Sequence, residues 1–442
     1  MNKQEKLTLG QAILININVM FGSGVFINTV NLINFAGILS FVSYCVAAII
    51  LLPIIFSITT LIKKFPEGGF YVYAARTISP FFGFLSAWSY FIGKLASTAL
   101  LIHIFTMLIQ SIIPALALLP AFFIDSCIIA LFMWLNHYAL QTGTKIMYGF
   151  IFLKATPIVI AILSSLYLFG HWHAPETLLL WDGIPKTIPL VLYAFVGFET
   201  ACSLSLTIQN PEKNARKAIL YSFLATISIT IMYQLLTSLA LGSILFGKEN
   251  FLAVFPSFFN AVLGSSALSI HLANIVHIAA ATAALGGSYG MILSNAWNLY
   301  ILAQHNHIFY APSFVAKNKY GIPFLCILAE GFICISYLIL TGAQQIVLQQ
   351  ISIFALSIAF LLSCAGLLVH DYKKQENLAP IALPVLGCIS VLILFTLCIR
   401  NFTHQGFFYL AAFLVTVGTG CIMFFIKKIN ASSASLRQSS TR

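Results

Sequence analysis

Two short glycine-containing motifs carry the residues best suited to binding chemistry. The first, NVMFGSGVFI, places Ser23 between Gly22 and Gly24, and the second, LYAFVGFETA, contains Gly197. Glycine in a helix interior costs about 1 kcal/mol relative to alanine, so both motifs favour local unwinding. Unwound backbone frees amide N–H groups, which suit a carboxylate, and carbonyl groups, which suit an ammonium. Close packing of helices is the alternative use of these glycines, and the two motifs alone leave it open.

Three ionisable residues, Lys94, Lys154 and Glu199, lie in strongly apolar stretches of the sequence. A charge at the centre of a bilayer costs about 2.5–3.5 kcal/mol on insertion scales, so such residues are functional candidates. A rise of about 1.5 Å per residue places all three near the middle of their predicted spans. We interpret them as coupling or charge-bearing residues, with pairing for structure alone as the alternative.

Enzymatic and ATP-driven chemistry is not indicated by the sequence. The apolar stretches contain no paired acids, no Ser-His set and no H-E-x-x-H motif, and the chain has no P-loop. The nine cysteines all fall within apolar stretches without a C-x-x-C pair, and the spacing of the histidines does not suit a metal. We therefore expect no enzyme, no catalytic residues, no cofactor and no metal site.

The composition indicates that membrane-spanning helices position the two motifs. Of 442 residues, 60% are hydrophobic and 7% are charged, whereas soluble domains carry about 25% charged residues. Apolar runs of the roughly 20 residues needed to cross the hydrocarbon layer recur along the whole chain, and the first is too long for a signal peptide. The predicted spans are 9–34, 38–62, 81–113, 119–138, 145–169, 188–208, 218–245, 270–303, 322–340, 350–370, 381–400 and 406–426. A short apolar stretch at 251–263 is predicted to be an outer interfacial helix.

The basic residues predict the orientation of these spans. A cytoplasmic N terminus places 17 of the 22 Lys and Arg residues on the cytoplasmic side and three outside, namely Lys186, Lys248 and Arg400. This bias follows the positive-inside rule and predicts that both termini are cytoplasmic. The net charge of +11 therefore belongs to loops at a membrane surface, and no nucleic-acid partner is expected.

Several motifs in sequence order resemble the amino acid–polyamine–organocation superfamily. GSGVF and AFVGFETA are accompanied by FPEGGFYVYAARTISPFFGFLSAW at 65–88, NPEKNARKAI at 210–219 and LYILAQHNHIFYAPSFVAKNKYGIP at 299–323. Within the superfamily the chain looks most like the basic amino acid/polyamine antiporters, which include arginine/agmatine exchangers. The resemblance covers most of the chain as far as the ninth span, and the last three spans match only in hydropathy.

The resemblance implies an all-α integral membrane protein of about 12 transmembrane helices with a LeuT-like fold. Its single domain would cover 1–430, with inverted five-helix repeats at about 9–169 and 188–370 and extra helices at 381–426. Helices 1 and 6 would be broken at mid-membrane. Residues 431–442 are expected to form a disordered cytoplasmic tail.

The resemblance also assigns roles to individual residues. It implies that the α-carboxylate of a substrate binds at Gly22, Ser23 and Gly24. It implies that the substrate ammonium binds at carbonyl groups of Ala194, Phe195 and Gly197. The implied gating positions are Tyr90, Tyr193, Ser288 and Tyr289, and the charge-bearing ones are Lys154, Glu199 and Lys94.

The chain departs from the arginine/agmatine exchangers at two places. Ser288 stands where those exchangers have an aromatic residue that stacks on arginine, and Lys94 has no counterpart in them. If Lys94 faces the substrate, two like charges about 4 Å apart would repel by about 4 kcal/mol at an effective dielectric of 20. The departures therefore weigh against arginine, unless Lys94 pairs with Glu199 or faces another helix.

The function that the sequence predicts is secondary active transport of an amino acid, by antiport or proton-linked symport. The alternatives are a permease for polyamines or other small organic cations and, more remotely, a channel. The expected partners are the amino acid, an exchanged amino acid or amine, and the lipid bilayer, with a homodimer left open. A bacterial inner membrane is the expected location.

Overall fold

The computed structural model describes residues 6–21, 24–66, 69–138, 140–169, 179–195, 197–374 and 378–440, and these are almost entirely helical. As far as residue 138 the helices are α1 (Leu9–Met20), α2 (Gly24–Ile27), α3 (Thr29–Ala36), α4 (Ser40–Lys64), α5 (Phe70–Thr77), α6 (Pro80–Ile112), α7 (Pro114–Ala117) and α8 (Ala121–Leu135). From residue 140 to 263 they are α9 (Leu140–Phe169), α10 (Ile184–Phe195), α11 (Thr200–Ser203), α12 (Pro211–Leu245) and α13 (Val254–Leu263). The remainder are α14 (Ala267–Gln304), α15 (Ala311–Val315), α16 (Phe324–Thr341), α17 (Gln345–Lys373), α18 (Leu378–Gln405) and α19 (Phe407–Ser440).

Ten helical segments of the described chain are long and apolar enough to cross a membrane. Two of the twelve predicted spans are not among these ten segments. The predicted span at 119–138 is α8, a helix of 15 residues, and the predicted span at 188–208 is divided between α10 and α11. The protein is therefore a multi-pass membrane protein, while twelve spans and the inverted repeat stay predictions.

Two further predicted segments, one of them at the C-terminal end of the described chain, are also helical. The predicted span at 406–426 is α19, which continues as far as Ser440. The apolar stretch at 251–263 forms a short 3-10 turn followed by α13. Because helix ends fray readily, disorder of the tail at 431–442 stays a prediction.

Helix α6 lies at the centre of the packing. Every residue from 89 to 102 is buried, so α6 is covered on all sides, as a helix that is apolar all round requires. It packs along α14 and α17, while α12 lies against α1 and α4 and α9 lies against α14. The middle of α6 also contacts the second glycine motif, because Tyr90 hydrogen-bonds to Glu199 and Ser97 hydrogen-bonds to Tyr193.

A local sequence signal determines where α1 begins. Thr8 and Gln11 form a capping box, in which the Gln11 side chain accepts the Thr8 N–H at 2.9 Å, and α1 begins at Leu9. Just before it, Leu7 donates its N–H to the Thr207 carbonyl at 2.7 Å. The start of α1 is thereby attached to the segment that follows α11.

Candidate functional site

The structure brings the two glycine motifs together. Helix α1 ends at Met20 and α2 begins at Gly24, and α10 ends at Phe195 and α11 begins at Thr200. Gly197, between α10 and α11, has a φ of +128°, which residues with a side chain rarely adopt.

Close approaches favour glycine at both positions, and the positive φ of Gly197 adds a second reason there. A Cβ on Gly197 would lie 2.8 Å from the Met20 nitrogen. A Cβ on Gly24 would lie 3.2 Å from the Ala194 Cα and 3.2 Å from Cδ1 of Tyr193. The end of α1 therefore contacts the segment after α10, and the start of α2 contacts the end of α10. Gly22 and Ser23 lie outside the described residues.

Two carbonyl groups of the second motif accept hydrogen bonds from the turn that follows them. The Gly197 carbonyl accepts the N–H of Thr200 at 3.0 Å, and the Phe195 carbonyl accepts the N–H of Phe198 at 3.5 Å. Each carbonyl oxygen has two lone pairs, so each can accept one further donor. An ammonium is a donor of this kind.

Two buried asparagines, which the sequence reasoning did not select, link the motifs. The Asn16 amide donates to the Phe198 carbonyl at 2.8 Å, and the Asn28 amide donates to the Leu190 carbonyl at 2.8 Å. Asn16 and Asn28 are both fully buried, on either side of the first motif. Asparagine within an apolar span is costly unless it is hydrogen-bonded, and that cost is the signal by which they could have been found.

Glu199 gathers three donors at the start of α11. Its Oε2 accepts the Gly197 N–H at 3.0 Å, and its Oε1 accepts the Tyr90 hydroxyl at 3.1 Å. The Lys94 ammonium lies 2.6 Å from the same Oε1, and both side chains are almost completely buried. The carboxylate therefore fixes the backbone of the second motif and connects it to α6.

The contact with Glu199 compensates the charge of Lys94. Lys94 makes no further hydrogen bond with the residues that the structure describes, and its ammonium lies 5.5 Å from the centre of the Tyr90 ring. The repulsion of cationic substrates that an isolated Lys94 would exert does not apply to this arrangement, because a paired charge is largely neutralised at longer range.

The two predicted tyrosine gates lie on opposite sides of this pair along α6. The Tyr90 ring stacks on Phe70 with centroids 4.5 Å apart, and Phe70 begins α5. The Tyr193 hydroxyl accepts a hydrogen bond from the Ser97 hydroxyl at 3.0 Å. Both rings are buried, and Tyr193 is the ring that approaches Gly24.

Lys154 connects α9 to the end of α1. Its ammonium donates to the Asn18 carbonyl, and the Asn18 amide donates to the Gly286 carbonyl of α14 at 2.8 Å. The last carbonyl groups of a helix lack partners within the helix and carry partial negative charge, so a cation there is favourable. No carboxylate of the described residues forms an ion pair with Lys154.

The remaining predicted gating residues, Ser288 and Tyr289, are on α14. The Ser288 hydroxyl donates to the Ala284 carbonyl of its own helix at 3.1 Å. The Tyr289 ring packs on Phe132 of α8 and Phe150 of α9, with centroids 5.5 and 6.4 Å away. Neither side chain hydrogen-bonds to the glycine motifs in the described part of the chain, and their gating role stays a prediction.

Two further asparagines, both on α14, hydrogen-bond to α11 and to α6. Asn298 donates to the Ser203 hydroxyl of α11 at 3.0 Å and to the Asn295 side chain at 3.0 Å. Asn295 in turn donates to the Phe91 carbonyl of α6 at 3.0 Å. This chain of hydrogen bonds ties the short helix α11 to the two long helices around it.

The sequence of the chain is similar to those of known transporters. Residues 7–425 match the amino acid permease family. An uncharacterized transporter of Mycobacterium tuberculosis is 23% identical over 353 residues, which cover 74% of this chain and 72% of the relative. A candidate arginine/ornithine antiporter of Escherichia coli is 24% identical over 269 residues, which cover 54% of this chain and 55% of the relative. The chain is a membrane transporter rather than an enzyme, and it belongs to the amino acid permease family of the amino acid–polyamine–organocation superfamily.

Proposed function

We propose that the protein is a secondary active transporter of amino acids that works by alternating access. The observation that carries the proposal is the meeting of four helix ends around Gly24 and Gly197. Helices interrupted at corresponding places in two halves of a transporter characteristically form its substrate site. The similarity to a candidate arginine/ornithine antiporter supports exchange as the mode of transport.

The proposed site binds the two charged groups that all amino acids share. Backbone N–H groups of Gly22, Ser23 and Gly24 bind the α-carboxylate, helped by the positive end of a helix. Carbonyl groups of the second motif, namely those of Ala194, Phe195 and Gly197, bind the ammonium. Tyr193 covers the substrate, since its ring is the side chain nearest to Gly24.

The charge pair of Lys94 and Glu199 changes what is expected of specificity. Because the two charges compensate each other at 2.6 Å, the site presents no net fixed charge from this pair. A zwitterionic amino acid then brings no uncompensated charge into it. Exclusion of arginine no longer follows from Lys94.

The proposed orientation places both termini in the cytoplasm of a bacterium, with the protein in the inner membrane. The support is the excess of Lys and Arg in alternate loops. With this orientation the bridge between Leu7 and Thr207 lies on the cytoplasmic side, where it helps to close the site.

Uptake into proteoliposomes tests the proposal. We expect saturable uptake of at least one radiolabelled amino acid, and loading the vesicles with unlabelled substrate should accelerate it if the protein is an exchanger. Empty vesicles that accumulate substrate only with a proton gradient would indicate symport. Uptake of polyamines without amino acids would replace the proposal with an amine permease, and unsaturable ion flux would replace it with a channel.

Lys154 is proposed to supply a fixed positive charge in place of a coupling cation. Lys154→Ala removes the donor to the Asn18 carbonyl, so we expect uptake to fall at least about tenfold, which corresponds to roughly 1.4 kcal/mol. The control is Lys145→Ala, which removes an exposed lysine from the same helix. Uptake is measured at several pH values with sodium or choline as the cation.

The pH series separates two roles for Lys154. If the pH dependence of uptake disappears together with the side chain, Lys154 carries the coupled proton. If the pH dependence stays while the rate falls, Lys154 holds α1, α9 and α14 together as a permanent cation. Sodium-dependent uptake by the wild type would contradict both roles.

A further inference from the structure

A cavity of about 330 Å³ opens beside the end of the last long apolar helix. Its walls are the first turn of α6, the turn that follows α14, and the part of α19 between Phe424 and Lys428. Lys427 and Lys428 come at the end of the apolar segment Phe407–Asn430. The cavity therefore lies at the depth where hydrocarbon gives way to lipid headgroups.

The cavity is positively charged. Its lining includes Lys427 and Lys428, and no carboxylate of the described residues forms an ion pair with either lysine. Another wall of the cavity is the N-terminal turn of α6, where Ser79 makes no side-chain cap hydrogen bond. The first N–H groups of a helix lack partners within it and carry partial positive charge, which adds to the attraction for an anion.

Two imidazoles in the wall are neutral at neutral pH. Burial is the larger cause that lowers the pKa of His307 to about 4, and the neighbouring His305 is the smaller cause. Burial is also the larger cause that lowers the pKa of His305, and the charge of Arg76 is the smaller cause. The positive charge of the cavity at neutral pH therefore comes from the lysines and the helix end. The Nε2 atom of His307 already shares a hydrogen bond with the Tyr71 hydroxyl at 2.7 Å.

One wall of the cavity is aromatic and apolar. Phe81 stacks on Phe425 with centroids 5.1 Å apart, and it meets Phe424 edge-on at 5.5 Å. The side chain of Phe425 is 47% exposed on α19. A ligand with an apolar portion next to an anionic group fits this combination better than a free anion.

We propose that this cavity binds the headgroup phosphate of an anionic phospholipid. Lys427 and Lys428 contact the phosphate together with the N-terminal turn of α6, and the phenylalanines contact the start of the acyl chains. Basic pockets between transmembrane helices recognise lipid headgroups in this way. The inference does not depend on the identity of the transported substrate.

The bound lipid acts on the helix that carries the central ion pair. The cavity wall belongs to α6, and Tyr90, Lys94 and Ser97 lie farther along the same helix. A lipid that holds the first turn of α6 against α19 stabilises the position of these side chains. We therefore expect faster transport in bilayers that contain an anionic phospholipid.

Native mass spectrometry of the purified full-length protein measures binding directly. Phosphatidylglycerol is titrated against the wild type and the variant Lys427→Gln/Lys428→Gln. A lysine near an anionic lipid surface contributes about fivefold in affinity, so the double variant should bind roughly 30-fold more weakly. Phosphatidylcholine should bind weakly to both proteins, because its headgroup has no net charge.

The control is the pair Lys373→Gln/Lys374→Gln, in which two adjacent exposed lysines end another apolar helix. The control variant should bind phosphatidylglycerol like the wild type, and Phe425→Ala should weaken the lipid without changing the charge. Equal loss in both lysine pairs would mean general attraction to anionic surfaces and would overturn the proposal. Displacement of the lipid by millimolar inorganic phosphate would also overturn it, since the cavity would then be a free-anion site.

Discussion

Replacing Gly24 with valine should abolish substrate binding while the protein still inserts into the membrane. A Cβ at this position would lie 3.2 Å from the Ala194 Cα and 3.2 Å from the Tyr193 ring, closer than ordinary contacts. The ring can rotate away, but the backbone of α10 cannot, and valine adds two further methyl groups. Overpacking of this kind costs about 1–3 kcal/mol, and it also fills space next to the proposed carboxylate site. We expect affinity to fall at least about a hundredfold, roughly 2.7 kcal/mol.

The measurement is equilibrium binding of the transported amino acid to purified protein. Gly10→Val is the matched control, because Gly10 is also in the first long helical segment and a Cβ there meets no atom within 4 Å. Gly24→Ala should give an intermediate loss, since one methyl group requires a shift of only a few tenths of an ångström. Wild-type affinity in Gly24→Val, with the protein correctly folded, would show that the substrate does not bind beside α2.

The contacts at Gly24 and at Gly197 show which features of the site the sequence could predict. Glycine inside an apolar span is an unusual choice, so each motif marked a place where backbone comes close to something else. The sequence did not specify the neighbour, because Gly197 and Met20 are far apart along the chain and only packing brings them together. The bounds of the long helices followed from hydropathy, whereas the division at Phe195 and Thr200 depended on backbone geometry.

Polar residues in the spans were predicted unevenly, for a physical reason. Lys154 and Glu199 were selected because an ionised group in hydrocarbon is costly. Asn16 and Asn28 are uncharged and cost less, although each donates a hydrogen bond of 2.8 Å that joins a position beside the first motif to one in or beside the second. A pairing of Lys94 with Glu199 remained one of three alternatives, beside an orientation towards the substrate or towards another helix, because the relative rotation of α6 and α11 is decided by packing around the whole bundle.

The ion pair between Lys94 and Glu199 should respond to mutation in a way that depends on which partner is removed. Lys94→Met leaves a buried carboxylate with two hydrogen bonds, and Glu199→Gln leaves a buried ammonium without its counter-charge. Removing one partner of a buried pair costs about 3–5 kcal/mol, whereas replacing both is far less costly. We therefore expect each single variant to unfold at a lower temperature than the wild type and the double variant to recover much of the loss.

The same variants should shift substrate preference in opposite directions. Lys94→Met exposes the substrate to an uncompensated negative charge, so competition of uptake by arginine should strengthen relative to that by neutral amino acids. Glu199→Gln exposes it to a positive charge, so competition by arginine should weaken, by up to about a thousandfold if the charges approach within 4 Å. The double variant should resemble the wild type. These signs distinguish a pair beside the substrate from one that only holds α6 to α11.

A second ion pair provides the control for this cycle. Lys64 and Asp371 join the ends of α4 and α17, and the Lys64 side chain is 22% exposed. These two helices carry neither glycine motif, so Lys64→Met/Asp371→Asn should leave substrate preference unchanged. If Lys94→Met and Glu199→Gln altered stability but left the ranking of competing amino acids as in the wild type, the pair would lie away from the bound side chain. Its function would then be to hold Glu199 against the Gly197 N–H, and specificity would depend on the residues around Tyr193 instead.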